Sequence, residues 1–344
     1  MTGAVEVFLD ETPGETRGAV FRDGRYTHLL IQRETDIPQT RLGARSVGRV
    51  MEVSPGLRGA FVDIGADVPA FLPFPRNDRL TQGERLEVVV TAEPRAGKGA
   101  VVRRLGAGEG APRLLLAAPD VSARLREIAP GEESVTGLAA IDAVMEAEEE
   151  AMGRRHLFPA QGIDLSVERT RALVAVDIDH KPAAGRDPKQ ARAAANREGL
   201  RQTARLIGLK NWAGLIVIDL VGDGQDAEAQ AKIARAVFAD EPQAVFGPVS
   251  RFGLLQLSLP WRRAPIEDRL LDADGRASLQ TRSLSLVRRV RRRLLSDTLS
   301  PRVMVRCAPE EAVVVGPLTA RLGPRAVIQA DAAVLAGRGQ IEEN

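Results

Sequence analysis

Two apolar runs, each ending on aspartate, constrain this chain most. Leu173-Val174-Ala175-Val176-Asp177-Ile178-Asp179 and Leu215-Ile216-Val217-Ile218-Asp219 are short, rich in β-branched residues and suited to buried strands. Between them, Asp187 and Pro188 supply an N-cap and a first-turn proline. Ala191, Ala194, Ala195, Leu200, Ala204 and Ile207 then recur at helical spacing up to a stop near Gly208. Strand, helix, strand is the connection that parallel neighbours need. Side chains two apart on a strand share a face. Val174, Val176 and Ile178 therefore take one face, and Asp177 and Asp179 the other. If the two strands pair in parallel, Asp219 lands beside Asp177 at the carboxyl edge, where open α/β sheets bind ligands.

Carboxylates gathered on such an edge repel one another, and a hard cation such as Mg²⁺ relieves that repulsion. The same ion activates water and neutralises charge on a phosphate. The plainer reading, that acids ending strands are turn formers and helix caps, suits any one aspartate; two strands around one crossover favour a site. Spacing alone leaves nuclease, phosphatase and kinase-like chemistry open. No competing motif is strong. His28, His156 and His180 have no metal-ligand spacing, Gly97-Lys98-Gly99 lacks the flanks of a Walker loop, and no Gly-x-Ser-x-Gly elbow occurs.

Upstream, residues 1–33 read as strands at Val5–Leu9, Arg17–Arg22 and Thr27–Arg33, with Asp23-Gly24 as a hairpin turn, packing with the catalytic region. Residues 34–105 carry five short strands with close turn signals and suit a small closed β-barrel. Residues 106–135, rich in Gly, Ala and Pro, read as a linker or covering segment. Residues 136–260 form the α/β region, with helices over Thr136–Arg155 and Asp226–Asp240 and a hairpin-like stretch over Gln243–Leu259. In 261–344, a small α+β domain, Arg276–Ser296 is an amphipathic helix. Leu279, Leu286, Val287, Val290 and Leu294 face inward, and Arg282, Arg288, Arg289, Arg291, Arg292 and Arg293 lie on its other side.

Apolar residues make up 44% of the 344, enough for a sizeable core, but aromatics are only 3%, so that core is aliphatic. One cysteine, Cys307, excludes an internal disulfide and a four-thiolate zinc site within one chain. With no basic-then-apolar leader at Met1–Val7 and no long apolar run, the expectation is a cytoplasmic protein without a membrane partner. Only five of 48 basic residues are lysine. Such an arginine bias suits phosphate binding, but GC-rich codon usage is the plainer source of it, so composition alone establishes no nucleic-acid partner.

At these residues the chain resembles the ribonuclease E/G family. Val176-Asp177-Ile178-Asp179 is similar to that family's Val-Asp-Ile-Asn segment. Asn196-Arg197-Glu198, then Leu209-Lys210-Asn211-Trp212-Ala213-Gly214 and the strand to Asp219, resemble its helix, turn and second catalytic strand. Ser250-Arg251-Phe252-Gly253-Leu254-Leu255 resembles the strand after that. Gly48-Arg49-Val50 and Pro55-Gly56-Leu57-Arg58-Gly59-Ala60-Phe61-Val62-Asp63-Ile64-Gly65 resemble its RNA-binding barrel.

The resemblance implies an α+β protein: an OB-type β-barrel RNA-binding domain inserted near the N-terminus of a mixed α/β, deoxyribonuclease I-like catalytic domain. It implies a Mg²⁺-dependent endoribonuclease cutting single-stranded RNA. Asp177, Asp179 and Asp219 would be catalytic, with Asp177 and Asp219 holding the ion. Phe61, Phe71, Lys98, Arg262 and Arg263 would contact RNA.

Four departures qualify it. Asp179 replaces the family's Asn, and the stretch that senses a 5′-monophosphate is shortened away. Ser258-Leu259-Pro260-Trp261-Arg262-Arg263 replaces its Thr-Arg-Lys-Arg, and the cysteines of the zinc link are missing, so no zinc-linked assembly is expected, although a homodimer stays open. A non-catalytic RNA-binding protein retaining the fold is the rival reading.

Overall fold

The computed structural model describes residues 4–74, 79–181, 187–222 and 227–343, and the chain divides into two compact units, 1–148 with 265–344, and 149–264. The first unit begins with an antiparallel meander, β1 (Val5–Thr12), β2 (Glu15–Arg22) and β3 (Arg25–Arg33). Asp23 and Gly24 have φ of 54° and 77°, the left-handed pair that a two-residue hairpin turn requires.

Five strands follow: β4 (Arg45–Ser54), β5 (Gly59–Asp63), β6 (Ala70–Pro73), β7 (Arg85–Ala92) and β8 (Val101–Ala107). They pair in the order β4-β5-β6-β8-β7 and back to β4, with only β6 and β8 parallel, a closed barrel compatible with an OB-type domain. β4 reaches both neighbours by bending: register slips between Val50 and Glu52, as at a β-bulge. Gly48 permits the close approach, since a Cβ there would sit 2.5 Å from Val62. Val50, Val62, Ile64, Leu72, Leu86, Val88, Val90 and Val102 fill the interior.

Residues 106–135 are more ordered than their small-residue composition suggests. β9 (Arg113–Leu116) joins the barrel on β4, and α1 (Val121–Ile128) is capped by Asp120. β10 (Ser134–Val135) pairs with β1. Val121 and Leu125 of α1 rest on β2 at Gly18, where a Cβ would approach Val121 to 2.7 Å. α2 (Leu138–Met152) follows, shorter than the periodicity suggests.

The second unit is a six-stranded sheet built from β11 (Arg155–Phe158), β12 (Ile163–Arg169), β13 (Val174–His180), β14 (Gly214–Asp219), β15 (Val245–Phe246) and β16 (Leu254–Leu259). Its order is β11-β12-β13-β14-β16-β15, with β13 and β14 parallel and the other neighbours antiparallel. α3 (Pro188–Leu209) makes the crossover from β13 to β14, capped at Asp187, and packs on β12 and β13. Gly199 lets it approach closely, since a Cβ there would lie 2.6 Å from Ile178. α4 (Ala227–Val237) packs beside α3, and the expected cap Asp226 lies outside the described residues. The β11–β12 hairpin was hidden in the sequence, where Arg155 reads as the tail of a helix.

Returning to the first unit, α5 (Ile266–Leu270) and α6 (Leu279–Ser296) precede β17 (Val303–Cys307), α7 (Pro309–Ala320), β18 (Ala326–Ala330) and β19 (Gln340–Glu343). The three strands form a small sheet under α6 and α7, and Cys307 is buried in that core. Two expectations for α6 are corrected. Leu279 is 37% exposed because the helix begins there, capped by Ser278, while Arg288 is only 1% exposed. Arg288 donates to Asp10 (2.6 Å) and Glu15 (3.0 Å) on the first hairpin, so the helix docks through ions as well as leucines.

Among the described residues, no helix is long and apolar enough to cross a membrane.

Candidate active site

The site is built by alternation. Along β13, Val174, Val176 and Ile178 are buried while Asp177 and Asp179 are exposed. In β14, Ile216 and Ile218 are buried and Asp219 is exposed. The apolar side chains face the layer that carries α3, which leaves the other sheet face open to water. Parallel pairing sets Asp177 opposite Asp219, and paired residues project to one face. Neighbouring strands are about 4.8 Å apart, so two carboxylates share the carboxyl edge of the sheet. On the other flank, Asp179 is opposite Asp164 of β12.

Electrostatics reflect that crowding. Lost hydration, and then the like charges of Asp179, Asp219 and Asp164, push the Asp177 carboxyl above the usual carboxylate range. Asp164 goes the other way, because the Arg155 guanidinium holds it with Nε at 2.8 Å from Oδ1 and 3.1 Å from Oδ2. Asp164 and Arg155 were missed in the sequence, because neither ends an apolar run; the alternation Ile163, Leu165, Val167 was the available signal.

The backbone beyond Asp219 is fixed from two sides. Asn196 of α3 donates through Nδ2 to Val221 O (3.0 Å), and its Oδ1 accepts from Val221 N (2.8 Å). Leu254, the antiparallel partner of Asp219, opens β16, and Leu220 N–H donates to Gly253 O just before it (3.4 Å). A buried asparagine with both amide atoms satisfied by one peptide segment positions that segment.

Farther down the unit, His156 is pressed to about 4 by burial and then by the charge of Lys210. Lys210 itself is spent on structure, donating to the carbonyls of Ala151 and Gly153 (both 2.5 Å) at the end of α2.

Of the residues expected to touch RNA, Phe61 and Phe71 are register partners on β5 and β6. Their rings meet edge to face at 5.7 Å, both half-buried and outside the barrel's core cluster. Phe71 lies over Gly59, where a Cβ would come within 2.1 Å of the ring. Lys98 is exposed at a hairpin tip between β7 and β8, on a turn with Ala96 and Gly97 at φ 47° and 74°. Phe71 pairs with Val101, three residues along from Lys98.

Arg262 and Arg263 are not brought to the carboxylates. They follow Leu259, which pairs with Gly214 at the opposite edge of the sheet, and Trp261 lies against Gly214. Arg262 is also held by Glu241, at 2.9 and 3.1 Å.

Residues 116–260 match the model of the ribonuclease E/G family. Ribonuclease G of Haemophilus influenzae is 41% identical over 69 residues, 20% of this chain and 14% of that protein. Ribonuclease G of Escherichia coli K12 is 42% identical over 67 residues, 20% of this chain and 13% of that protein. Ribonuclease E of the same strain is 29% identical over 147 residues, 42% of this chain and 13% of that protein. The matched stretches thus span about one seventh of these relatives' length.

Proposed function

This chain belongs to the ribonuclease E/G family, and from that premise we propose that it is an endoribonuclease that cuts single-stranded RNA at the Asp177–Asp219 edge. The observation that carries this reading is the parallel register that makes Asp177 and Asp219 neighbours on an open sheet face, with the Asp177 carboxyl raised by lost hydration and by its companions.

The residues fit Mg²⁺. Two neighbouring carboxylates that repel each other offer hard oxygen ligands, and Mg²⁺ commonly takes one or two carboxylates and completes its octahedron with water and phosphate oxygens. The register that pairs Asp177 with Asp219 supplies two such carboxylates. Asp177 and Asp219 would hold the ion, which when bound supplies charge neutralisation at the phosphate and a more acidic water. Asp179, on the same face, accepts a hydrogen bond from the attacking water through its carboxylate and so orients it. In the first unit, Phe61 and Phe71 offer rings for stacking bases, and Lys98 a charge for the backbone.

The test is incubation of the full chain with an end-labelled single-stranded RNA, in Mg²⁺ and then in EDTA. Cleavage in Mg²⁺ that stops in EDTA supports the reading. Binding without cleavage in either condition favours a non-catalytic RNA-binding protein instead. The aspartate at position 179, where the family has asparagine, is the residue that gives that alternative its weight.

A further inference from the structure

Among the described residues one aromatic ring is exposed, Phe252 at 69%, whereas every other described Phe, Tyr and Trp is buried or half-buried. It stands on the turn before β16, off the same sheet edge as Asp219, two residues from that aspartate's register partner Leu254. The turn is rigidly built. Ser250 Oγ accepts from Phe252 N and Leu254 N (both 3.2 Å), and Gly253 N donates to Ser250 O (3.0 Å). Gly253 has φ 82°, and a Cβ there would lie 2.8 Å from Gly222 O. Glycine at 253 therefore lets the turn seat on the segment that Asn196 fixes beyond Asp219. Beside the ring, the Arg251 guanidinium lies 4.9 Å from its centroid.

A ring held in water by a preformed turn gives nothing to the core of its own unit. Its open π-face suits a nucleobase, which stacks on aromatic rings with little regard for sequence. The cation beside it brings positive charge to an edge crowded with carboxylates, where a polyanion would otherwise be repelled. Resting on the reading of Asp177 and Asp219 as the phosphodiester site, we propose that Phe252 stacks on a base flanking the phosphate cut there, with Arg251 supporting the ring and attracting the adjoining backbone.

The full chain is titrated, in EDTA, with single-stranded RNA oligonucleotides carrying 2-aminopurine at successive positions. Wild type should quench the probe at one position more than at the others. Phe252→Ala should lose that quenching and bind on the order of tenfold more weakly, with an unchanged melting temperature and salt slope. Phe252→Trp should keep both signals, and Arg251→Ala should flatten the salt slope by about 0.7. Wild-type quenching and affinity in Phe252→Ala would overturn the proposal, as would a collapsed melt, which would make the ring structural. Cleavage in Mg²⁺ is scored separately. A chain that cleaves but is indifferent to Phe252→Ala refutes the stacking site alone. A chain that stacks through Phe252 but never cleaves refutes the catalytic reading and the link to a scissile phosphate.

Discussion

Asp177 shows how a single residue takes its character from its neighbours. Its side chain points to water only because Val176 and Ile178 point away, and its proton affinity rises first through lost hydration and then because Asp179, Asp219 and Asp164 crowd it. This much was legible in the sequence, since period-two alternation and the terminal aspartates are local features. Arg155 and Asp164 were not, because their pairing depends on a hairpin whose first strand reads in the sequence as the tail of a helix. The Phe61 ring, an expected RNA contact, lies outside the barrel core, against Phe71. Phe61→Ala should therefore leave a folded barrel and weaken RNA binding by about 1–3 kcal/mol, the worth of one stacked base. A thermal melt and a filter-binding titration of the same preparation check this, and an unfolded barrel would return the ring to the core.

At the scale of elements, α6 is the clearest case of a pattern read locally and used globally. Its arginines look like a solvated basic face, yet in the fold they are committed to partners. Arg282 pairs with Glu311, Arg292 with Asp142, Arg293 with Asp297, and Arg291 with Asp10. Arg289 donates to Gly339 O, and Arg288 to the buried carboxylates of Asp10 and Glu15. Those partners lie more than 270 residues away in sequence, beyond the reach of any periodicity. Arginine here serves the fold. Removing one partner of a buried pair costs about 3–5 kcal/mol. Arg291, Arg17 and Arg33 remain to hold the two carboxylates, so Arg288→Met should lose about 3 kcal/mol, at the low end of that range. Hydrogen exchange at the β1–β2 amides reads it directly; unchanged protection would show that the ion network does not anchor the helix.

Across the whole molecule the two units should respond differently to acid. In the second, His156 has its pKa depressed to about 4, against about 6.5 unfolded. A depressed histidine contributes stability present above its unfolded pKa and lost as pH falls toward the folded one, so this unit weakens between about pH 6.5 and 4. In the first, burial would raise the Glu15 carboxyl, but Arg17, Arg288 and Arg33 overcome it and hold it at about 2. That contribution persists above about 4.3 and is lost only on falling toward 2. Both tryptophans, Trp212 and Trp261, lie in the second unit. Acid titration followed by tryptophan fluorescence should therefore move at higher pH than far-ultraviolet signals from the first unit, and His156→Gln should shift only the tryptophan transition. Chemistry at the neighbouring carboxylates of β13 and β14 is read from the cleavage rate of single-stranded RNA in Mg²⁺ by wild type, Asp177→Asn and Asp219→Asn, with RNA affinity determined alongside. Wild type should cleave, both variants should lose cleavage by a factor of at least about 10², corresponding to ~2.7 kcal/mol of barrier, and each should keep its affinity; full cleavage by either variant would rule out the pair as the catalytic site.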